Sequence, residues 1–462
     1  MKFRIQMVCV TDDGIEQTQQ VLEFERQELA METLGLSMLE GKALLHGAQE
    51  FVSDQQAAEF LKQSRSCPNC GKRRRAKENG SISVNTIYGK VQLPNPRWRH
   101  CSCQPSQTIS FRPLQSWLIG QNSPELLFLE NKWASLIPYG GVARLLSEVL
   151  PIHDTLNAVT IRNQLMKTAA RMETELGEEK PVLFEGTEDD WEQQPTPDGP
   201  MTVGIDGGYF RSAHNVGFFE VIAGKSVLEF NRNEEIQKPS SKCFSFVQTF
   251  DEKPRRRLWE LLKSQGMAEN QQVVFLSDGG DSVRNLQEYI HPNSEHWIDW
   301  FHITMRITVL LQQVKGLEAE QPELGKEVTK EITSIKHYLW HGNTFQALQR
   351  LEGIRMELEF PQTPTYLTRK MAKALGEFKT YIGNNEEFVP NFGERRRNGE
   401  MISTAFVEST VNYVISKRMV KKQQMRWTPK GAHLLLQIRT KVLNNEFEEV
   451  FRNWYPEFRA AA

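Results

Sequence analysis

Long apolar runs are missing from this chain: no stretch approaches the ~20 consecutive residues that a bilayer-spanning helix needs. The opening segment, MKFRIQMVCVTDDGIEQ, also lacks the extended apolar core and small-residue cleavage site of a secretory leader. Both absences lead to the expectation of a cytoplasmic protein with no membrane partner. Net charge is nearly absent, at −2 over 462 residues, so the whole-chain sum gives no argument for a polyanionic partner. Cysteine is scarce, with six residues, and four of them fall in two tight pairs better suited to metal than to disulfides. Repeats and low-complexity tracts are lacking too. What is present is an ordinary globular balance, 39% hydrophobic and 25% charged. The length allows about three domains at roughly 150 residues each.

Charge is laid out unevenly along the chain. Lys72, Arg73, Arg74 and Arg75 form one basic cluster, Arg395, Arg396 and Arg397 a second, and Lys417, Arg418, Lys421, Lys422 and Arg426 a third, while acids gather over residues 185–192. That layout fits a basic binding face on a balanced protein. Residues 1–63 read as a mixed start with a helical stretch over 15–45. A cysteine module occupies 64–113, a helical region 114–177, and a polar, Pro- and Gly-containing linker 178–200. The pattern then turns to strands over 202–205, 217–223, 225–230, 244–250, 273–276 and 297–298. Helices are expected over 254–265, over 282–290 and from about Phe301. Strands followed by alternating β and α units indicate a mixed α/β sheet with helices packed on it over 201–302. From 303 to 395 the apolar spacing is helical, as at Ile332, Ile335, Tyr338 and Leu339. A last segment, 396–462, returns to the sheet.

Two carboxylates stand out. Asp206 and Asp278 each end an expected strand and each precedes two glycines, in GIDGGYF and LSDGGDS. Rigidly aimed carboxylates with room for a close substrate backbone suit Mg²⁺ or Mn²⁺, which take oxygen ligands and keep several waters. An isolated Asp-Gly is also an ordinary turn, and GIDGG resembles the phosphate-gripping start of sugar-kinase-like ATPases. Glu408 lies in ISTAFVESTVNYVISKRM, where Ser403 or Thr404 can cap a helix starting near Ala405. Val407, Val411, Val414 and Ile415 form its apolar stripe, with Glu408 and Asn412 on an adjoining face.

The cysteine module reads Cys67-Pro-Asn-Cys70-Gly and, after a gap, Cys101-Ser-Cys103. Such knuckles present two thiolates at once to tetrahedral Zn²⁺. The intervening SVNTIYGKVQL reads as a hairpin, giving a zinc-ribbon-like module in which His100 is an alternative ligand; four unrelated buried cysteines are the other reading. Cys9 and Cys243 read as packing residues. Lys72 to Arg75 at one end of the hairpin, and Arg97, Trp98 and Arg99 at the other, suit phosphate contact. Residues 140–150 and 159–172 form two helices around PIHDTLNA, spaced as in a helix-turn-helix with Thr160, Arg162 and Asn163 toward DNA, or as in a plain helical hairpin.

From Thr202 to Trp454 the chain resembles insertion-sequence transposases of the ISKra group, which belong to the bacterial DDE class. The resemblance is carried by VGIDGGYFRS, PRRRLWELLKSQGM, VVFLSDGGDSVRNLQ, HWIDWFHITMRITVL and AFVESTVNYVISKRMVKKQQMRWTPKGAHLLLQIRTKVLN. It implies an RNase H-like α/β core with an all-helical insertion, in which Asp206, Asp278 and Glu408 hold two Mg²⁺ ions. It also implies metal-dependent cleavage and transfer of double-stranded DNA, at element ends and at a target, by a homodimer or higher homo-oligomer at the bacterial nucleoid. Asp299 and His302, in IDWFHI, match an Asp-x-x-His pair that supports such a site; a helix N-cap and a packed histidine are the local alternative. Lys417, Arg418, Lys421, Lys422, Arg426 and Trp427 follow the Glu408 helix and are expected to contact DNA. A catalytically silent DNA-binding descendant is the alternative within the same resemblance.

Overall fold

An antiparallel hairpin opens the chain, β1 (Lys2–Val10) on β2 (Glu16–Glu25), turning at Asp12-Asp13-Gly14. This overturns the helix expected from residue 15. The Glu- and Gln-rich composition is compatible with a helix, but alternation wins: Leu22 pairs with Ile5, and Phe24 with Phe3, whose rings stack at 5.0 Å. The helix starts only at α1 (Met38–Ser64). There Ser37 Oγ accepts from Glu40 N at 3.2 Å and Glu40 accepts from Ser37 N at 2.8 Å, a reciprocal cap. The computed structural model describes residues 1–103, 109–116, 118, 120–152, 156–180, 194, 200–214, 217–228, 241–280, 286, 290, 294–360, 365–420 and 426–458. Most of the expected 178–200 linker and of the expected 282–290 helix therefore lies outside the described residues. Among those described, no helix is long and apolar enough to cross a membrane.

The chain forms two units, Met1–Thr168 with Asn445–Ala462, and Ala169–Asn444. In the first, β3 (Ala76–Glu78), β6 (Arg97–Arg99) and β7 (Ser110–Phe111) make a three-stranded sheet. Between them β4 (Ser81–Thr86) and β5 (Gly89–Pro94) form the expected hairpin. Val84, Val91 and Leu93 close a small core with Ala57 of α1 and Leu114. Helices α2 (Pro124–Leu136), α3 (Tyr139–Val149) and α4 (Ala158–Glu175) follow. Phe128 of α2 packs on Phe447, Phe451 and Phe458 with ring centroids 5.3–5.4 Å apart. The two helices expected around PIHDTLNA are present, but residues 150–157 separate them, longer than the 3–4-residue turn of a helix-turn-helix. Ile161 and Leu165 are buried, leaving Arg162 and Asn163 exposed.

The second unit is built on one sheet: β8 (Met201–Arg211), β9 (Phe218–Leu228), β10 (Ser241–Val247), β11 (Val273–Ser277) and β12 (Ser294–Ile298), in the order β10-β9-β8-β11-β12. β9 runs antiparallel to both β8 and β10, whereas β11 runs parallel to both β8 and β12. The two strands expected over 217–223 and 225–230 are one, because the glycine between them, Gly224, stays in the ladder opposite Ile205 and Phe244. On one face Met201, Val203 and Ile205 pack with Val273 and Phe275 against Leu258, Trp259 and Leu262 of α5 (Pro254–Lys263). β12 leads into four long helices, α6 (Trp300–Glu320), α7 (Pro322–Trp340), α8 (Thr344–Glu359) and α9 (Tyr366–Asn384), as the helical spacing predicts. Ile303, Ile307, Leu310, Val314 and Leu317 of α6 seed their shared core. After α10 (Phe392–Arg397), α11 (Ala405–Val411) continues into a π-helical stretch, Asn412–Val420, before α12 (Pro429–Leu443).

Candidate functional site

Asp206 does not end its strand, as the sequence pattern implied; it lies midway along β8. Alternation places Gly204, Asp206 and Gly208 on the face opposite Val203 and Ile205. That is the face on which α11 and its π-helical continuation lie. A Cβ on Gly204 would collide with Val407 and Phe406, and one on Gly208 would come within 3.0 Å of Ile415. The glycines of GIDGG therefore admit a helix rather than form a turn. Val407, Val414 and Ile415 are buried, and Glu408 is exposed beside them.

Asp278 directly follows β11. The ladder pairs Leu276 with Gly204 in parallel register, and two residues further on each chain brings Asp278 beside Asp206. Each carboxylate is steadied by a glycine N–H: Gly207 N donates to Asp206 at 2.7 Å and Gly280 N to Asp278 at 3.0 Å. Gly279, at φ +88, makes a turn that a residue with a Cβ would meet only under strain.

Asp299 and His302 belong to the same place. Asp299 is fully buried and caps α6 by accepting from Phe301 N at 2.8 Å. It also accepts from His302 Nδ1 at 2.9 Å, from Thr404 N at 3.0 Å and from Thr404 Oγ1. His302 Nε2 then lies 4.0 Å from Asp206 Oδ1. Asp299 is thus a helix cap, as the local alternative has it, and a tether at once, while His302 is a partly exposed ring that packs edge-on against Phe301 at 5.7 Å and also turns Nε2 to a carboxylate. Thr404, one helical turn before Glu408, completes a chain of contacts from the Glu408 helix through Asp299 and His302 to Asp206. Nothing in the sequence marked Thr404 beyond a cap candidate, because its partner lies 105 residues away.

Burial raises the Asp206 carboxyl above the usual carboxylate range; the Gly207 N–H and His302 pull the other way, and the Asp278 and Asp299 charges add to the rise. Desolvation works against charge on His302, but Asp299, then Asp206 and Asp278, outweigh it and raise its pKa. The site is therefore rich in negative charge. The carboxylates of Asp206, Asp278 and Glu408 do not all lie within 4.8 Å of one another; that closeness is reached, among the described residues, by two other groups.

One of these is Glu173, Asp251 and His433, unmarked in the sequence. The Arg257 guanidinium already fills it, donating to Glu173 (2.9 Å to each oxygen) and Asp251 (2.8 and 3.0 Å), with Nη2 3.3 Å from His433 Nε2. Burial opposes the Glu173 charge, but His433 and Arg257 hold its carboxyl down at about 2. This is a closed ion cluster, with the cation supplied by the chain.

The other is Cys67, Cys70, Cys101 and Cys103. Gly71 N donates to Cys67 O at 2.9 Å and Cys67 N to Lys72 O at 3.0 Å, closing a tight turn under Cys67 and Cys70. Sulfur separations of 3.3–3.5 Å are close to the ~3.8 Å edge of a tetrahedron around a metal with ~2.3 Å metal–sulfur bonds. Desolvation tends to raise the Cys67 thiol, yet backbone N–H groups of Asn69 and Cys70 bring it to about 6, and the neighbouring thiols push Cys103 up to about 12. The four thiols fit a divalent cation that would relieve this crowding. His100 is outside the group; its ring packs on Phe111 at 4.7 Å.

The expected basic contacts divide. Lys72, Arg73, Arg75, Arg99, Arg162, Lys417 and Arg426 are exposed, and Arg97 is partly so. Arg74 instead donates to Ser64 O at 2.7 Å and lies over Phe111. Trp98 is buried and unavailable for insertion into a groove. Arg418 and Trp427 are likewise buried: the guanidinium lies over the indole, which donates to Met419 O at 3.3 Å. The π-helical turn shifts the face periodicity, so a run read as one basic surface sends Arg418 inward. Lys421 and Lys422 lie outside the described residues.

No protein-family profile and no curated protein matches this chain.

Proposed function

We propose that the chain is a DDE-type DNA transposase with an RNase H-like core, a helical insertion and a zinc-bearing DNA-binding module. The observation that carries this is the parallel register setting Asp206 beside Asp278, with the Glu408 helix laid across the glycines of the same face. The sheet order, with only the strand between the first and third reversed, is the order such a core has. The helices α6 to α9 fall between Asp278 and Glu408, where the insertion belongs.

Asp206 and Asp278, with Glu408 on the facing helix, would hold Mg²⁺ or Mn²⁺, ions that need few carboxylates and keep their waters. When bound, a pair of such ions activates the attacking oxygen and stabilises the leaving one in phosphodiester displacement. The chain's own groups do the rest. Asp299 fixes His302 with Nδ1–H toward itself, leaving Nε2 to hold a proton beside Asp206. Thr404 keeps the Glu408 helix at its height over the sheet. The exposed cations Lys417 and Arg426, and those around the cysteine module, would bind DNA phosphates. The reaction is hydrolysis at the element ends, followed by attack of the freed 3′-hydroxyl on target DNA, in an oligomer that brings two ends together.

The test is cleavage of a labelled duplex carrying the element's end, with Mg²⁺ or Mn²⁺, by the wild type and by Asp278→Asn and Glu408→Gln. Cleavage that both variants abolish supports the proposal. Specific binding without cleavage by any form points to a silent DNA-binding descendant, and cleavage surviving both substitutions refutes the assignment of these acids.

A further inference from the structure

A cleft of about 560 Å³ opens in the first unit between the end of α1 and the β3–β6 sheet, lined among others by Lys62, Arg65, Arg73, Asn79 and Trp98. Its floor is the buried Trp98. Its walls carry three cations from two separate stretches of chain. Lys62 is neutralised, with its ammonium 2.7 Å from Asp13 and 3.8 Å from Glu59. Arg65 and Arg73 have no carboxylate within 4 Å among the described residues, and Arg65 Nε is buried without a hydrogen-bond partner there.

Two guanidinium groups lining one cleft repel each other, and that repulsion is relieved if an anion with several acceptor oxygens sits between them. The fold holds the two arginines to this spacing. Ser66 and Arg73 form a β-bridge, Arg74 N donates to Arg65 O at 2.8 Å, and the cysteine turn of residues 67–72 closes between them. The helix end would repel an anion through its free carbonyls. Here Arg74 Nη1 donates to Ser64 O and Arg65 N to Lys62 O, which blunts that repulsion.

We propose that this cleft is a phosphate site, in which Arg65 and Arg73 together grip one backbone phosphate of DNA. Guanidinium groups suit this role because their planar N–H pairs match phosphate oxygens. Arg65 is new to the DNA-contacting surface, and Arg73 acquires a partner in place of a diffuse role in a basic run. The phosphate chemistry follows from the cleft alone; the choice of DNA as its source rests on the transposase reading.

The experiment is binding of the zinc-loaded full chain to a labelled duplex by fluorescence anisotropy, across salt from about 50 to 200 mM, for wild type, Arg65→Gln, Arg73→Gln, the double variant and Arg65→Lys. Each glutamine variant is expected to weaken binding about three- to tenfold, and loss of one phosphate contact is expected to lower the salt slope by about 0.9. The double variant should show the slope change once, since both arginines hold one phosphate, and Arg65→Lys should keep the wild-type slope. Unchanged zinc content serves as the check that each variant folds. Wild-type affinity and slope in the folded double variant would overturn the proposal. Inorganic pyrophosphate forms a separate arm: arginine-dependent pyrophosphate binding that DNA does not displace would overturn DNA as the source. Absence of cleavage with arginine-dependent DNA binding intact would sink the transposase reading and leave the phosphate site standing.

Discussion

Replacing Asp299 with alanine removes one carboxylate and strands four donors. Phe301 N, His302 Nδ1 and Thr404 N lie 2.8, 2.9 and 3.0 Å from it, and Thr404 Oγ1 is the fourth. Loss of the α6 cap costs about 1 kcal/mol. The Thr404 N–H has no water to turn to, and an unmade buried donor costs roughly 1–3 kcal/mol. Allowing for solvent that reaches His302, the sum is about 3–5 kcal/mol, the range for breaking a buried ion pair. At ~2–4 °C per kcal/mol for a unit of this size, melting should fall by about 10 °C. The assay is urea and thermal unfolding beside Glu408→Gln, an exposed control expected to stay within about 0.5 kcal/mol of wild type. Asp299→Asn should lie between, because its Oδ1 can still accept from Phe301 and Thr404 while its NH₂ faces His302. The substitution should also lower the His302 pKa. With that pKa raised in the fold, His302 contributes stability that is complete below its ordinary value of 6.5 and is lost as pH climbs through the raised one. In Asp299→Asn that pH dependence should flatten. An Asp299→Ala protein as stable as the control would refute the tether between α6 and the Glu408 helix.

Other perturbations have equally definite expectations. In metal-free protein Asp206→Asn should raise the melting temperature by a few degrees, about 1 kcal/mol, since burial disfavours the charge it removes; Mg²⁺ should then stabilise the wild type and not the variant. Cys67→Ser and Cys103→Ser should each abolish stoichiometric zinc in the purified protein as measured by elemental analysis; retained zinc would mean another ligand set. Arg257→Met should cost about 3–5 kcal/mol by leaving Glu173 and Asp251 buried without their cation, read by urea unfolding at neutral pH. With the Glu173 carboxyl held at about 2, its contribution is complete above 4.5 and is lost as pH falls toward 2, so acid unfolding over that window should be blunted in Glu173→Gln. Gly204→Ala should cost about 1–3 kcal/mol by overpacking against Val407 and Phe406, with strand cleavage falling further than stability, whereas alanine at exposed, open Gly140 should do neither.

Much of the second unit was legible because its signals are local. Val273 to Leu276 is apolar and short, α6 to α9 repeat at helical spacing, and Asp278 stands where its strand stops. The errors came where a local rule met a distant partner. GIDGG reads as a strand end whose glycines leave room for a substrate, but here the strand runs on and Gly204 and Gly208 are spaces for Val407 and Ile415, some two hundred residues later. The stretch 16–25 reads as helix by composition, and only its pairing with β1 makes it a strand. Arg418 and Trp427 read as surface because a basic run usually is solvated; one wide helical turn and an indole to lie on were enough to bury both. Glu173, Asp251, Arg257 and His433 left no local trace at all, each being an ordinary residue on an ordinary segment until the fold brings them together.

These misses bear on how the site is built. A carboxylate at a loop tip is free to move, and its ligand geometry must be set anew by whatever binds. Asp206 is held instead on a strand paired on both sides along part of its length, with a helix pressed against the same face through two missing side chains. Its height relative to that helix is fixed by Asp299, which belongs to neither element and grips both α6 and the residue preceding α11. Rigidity of this kind is costly, since it keeps Asp206 charged where burial disfavours charge and gathers Asp278 and Asp299 nearby. Three acids around one histidine leave negative charge uncompensated by the chain, and on the proposed reading oxygen-seeking divalent ions would supply the missing positive charge while keeping several of their waters.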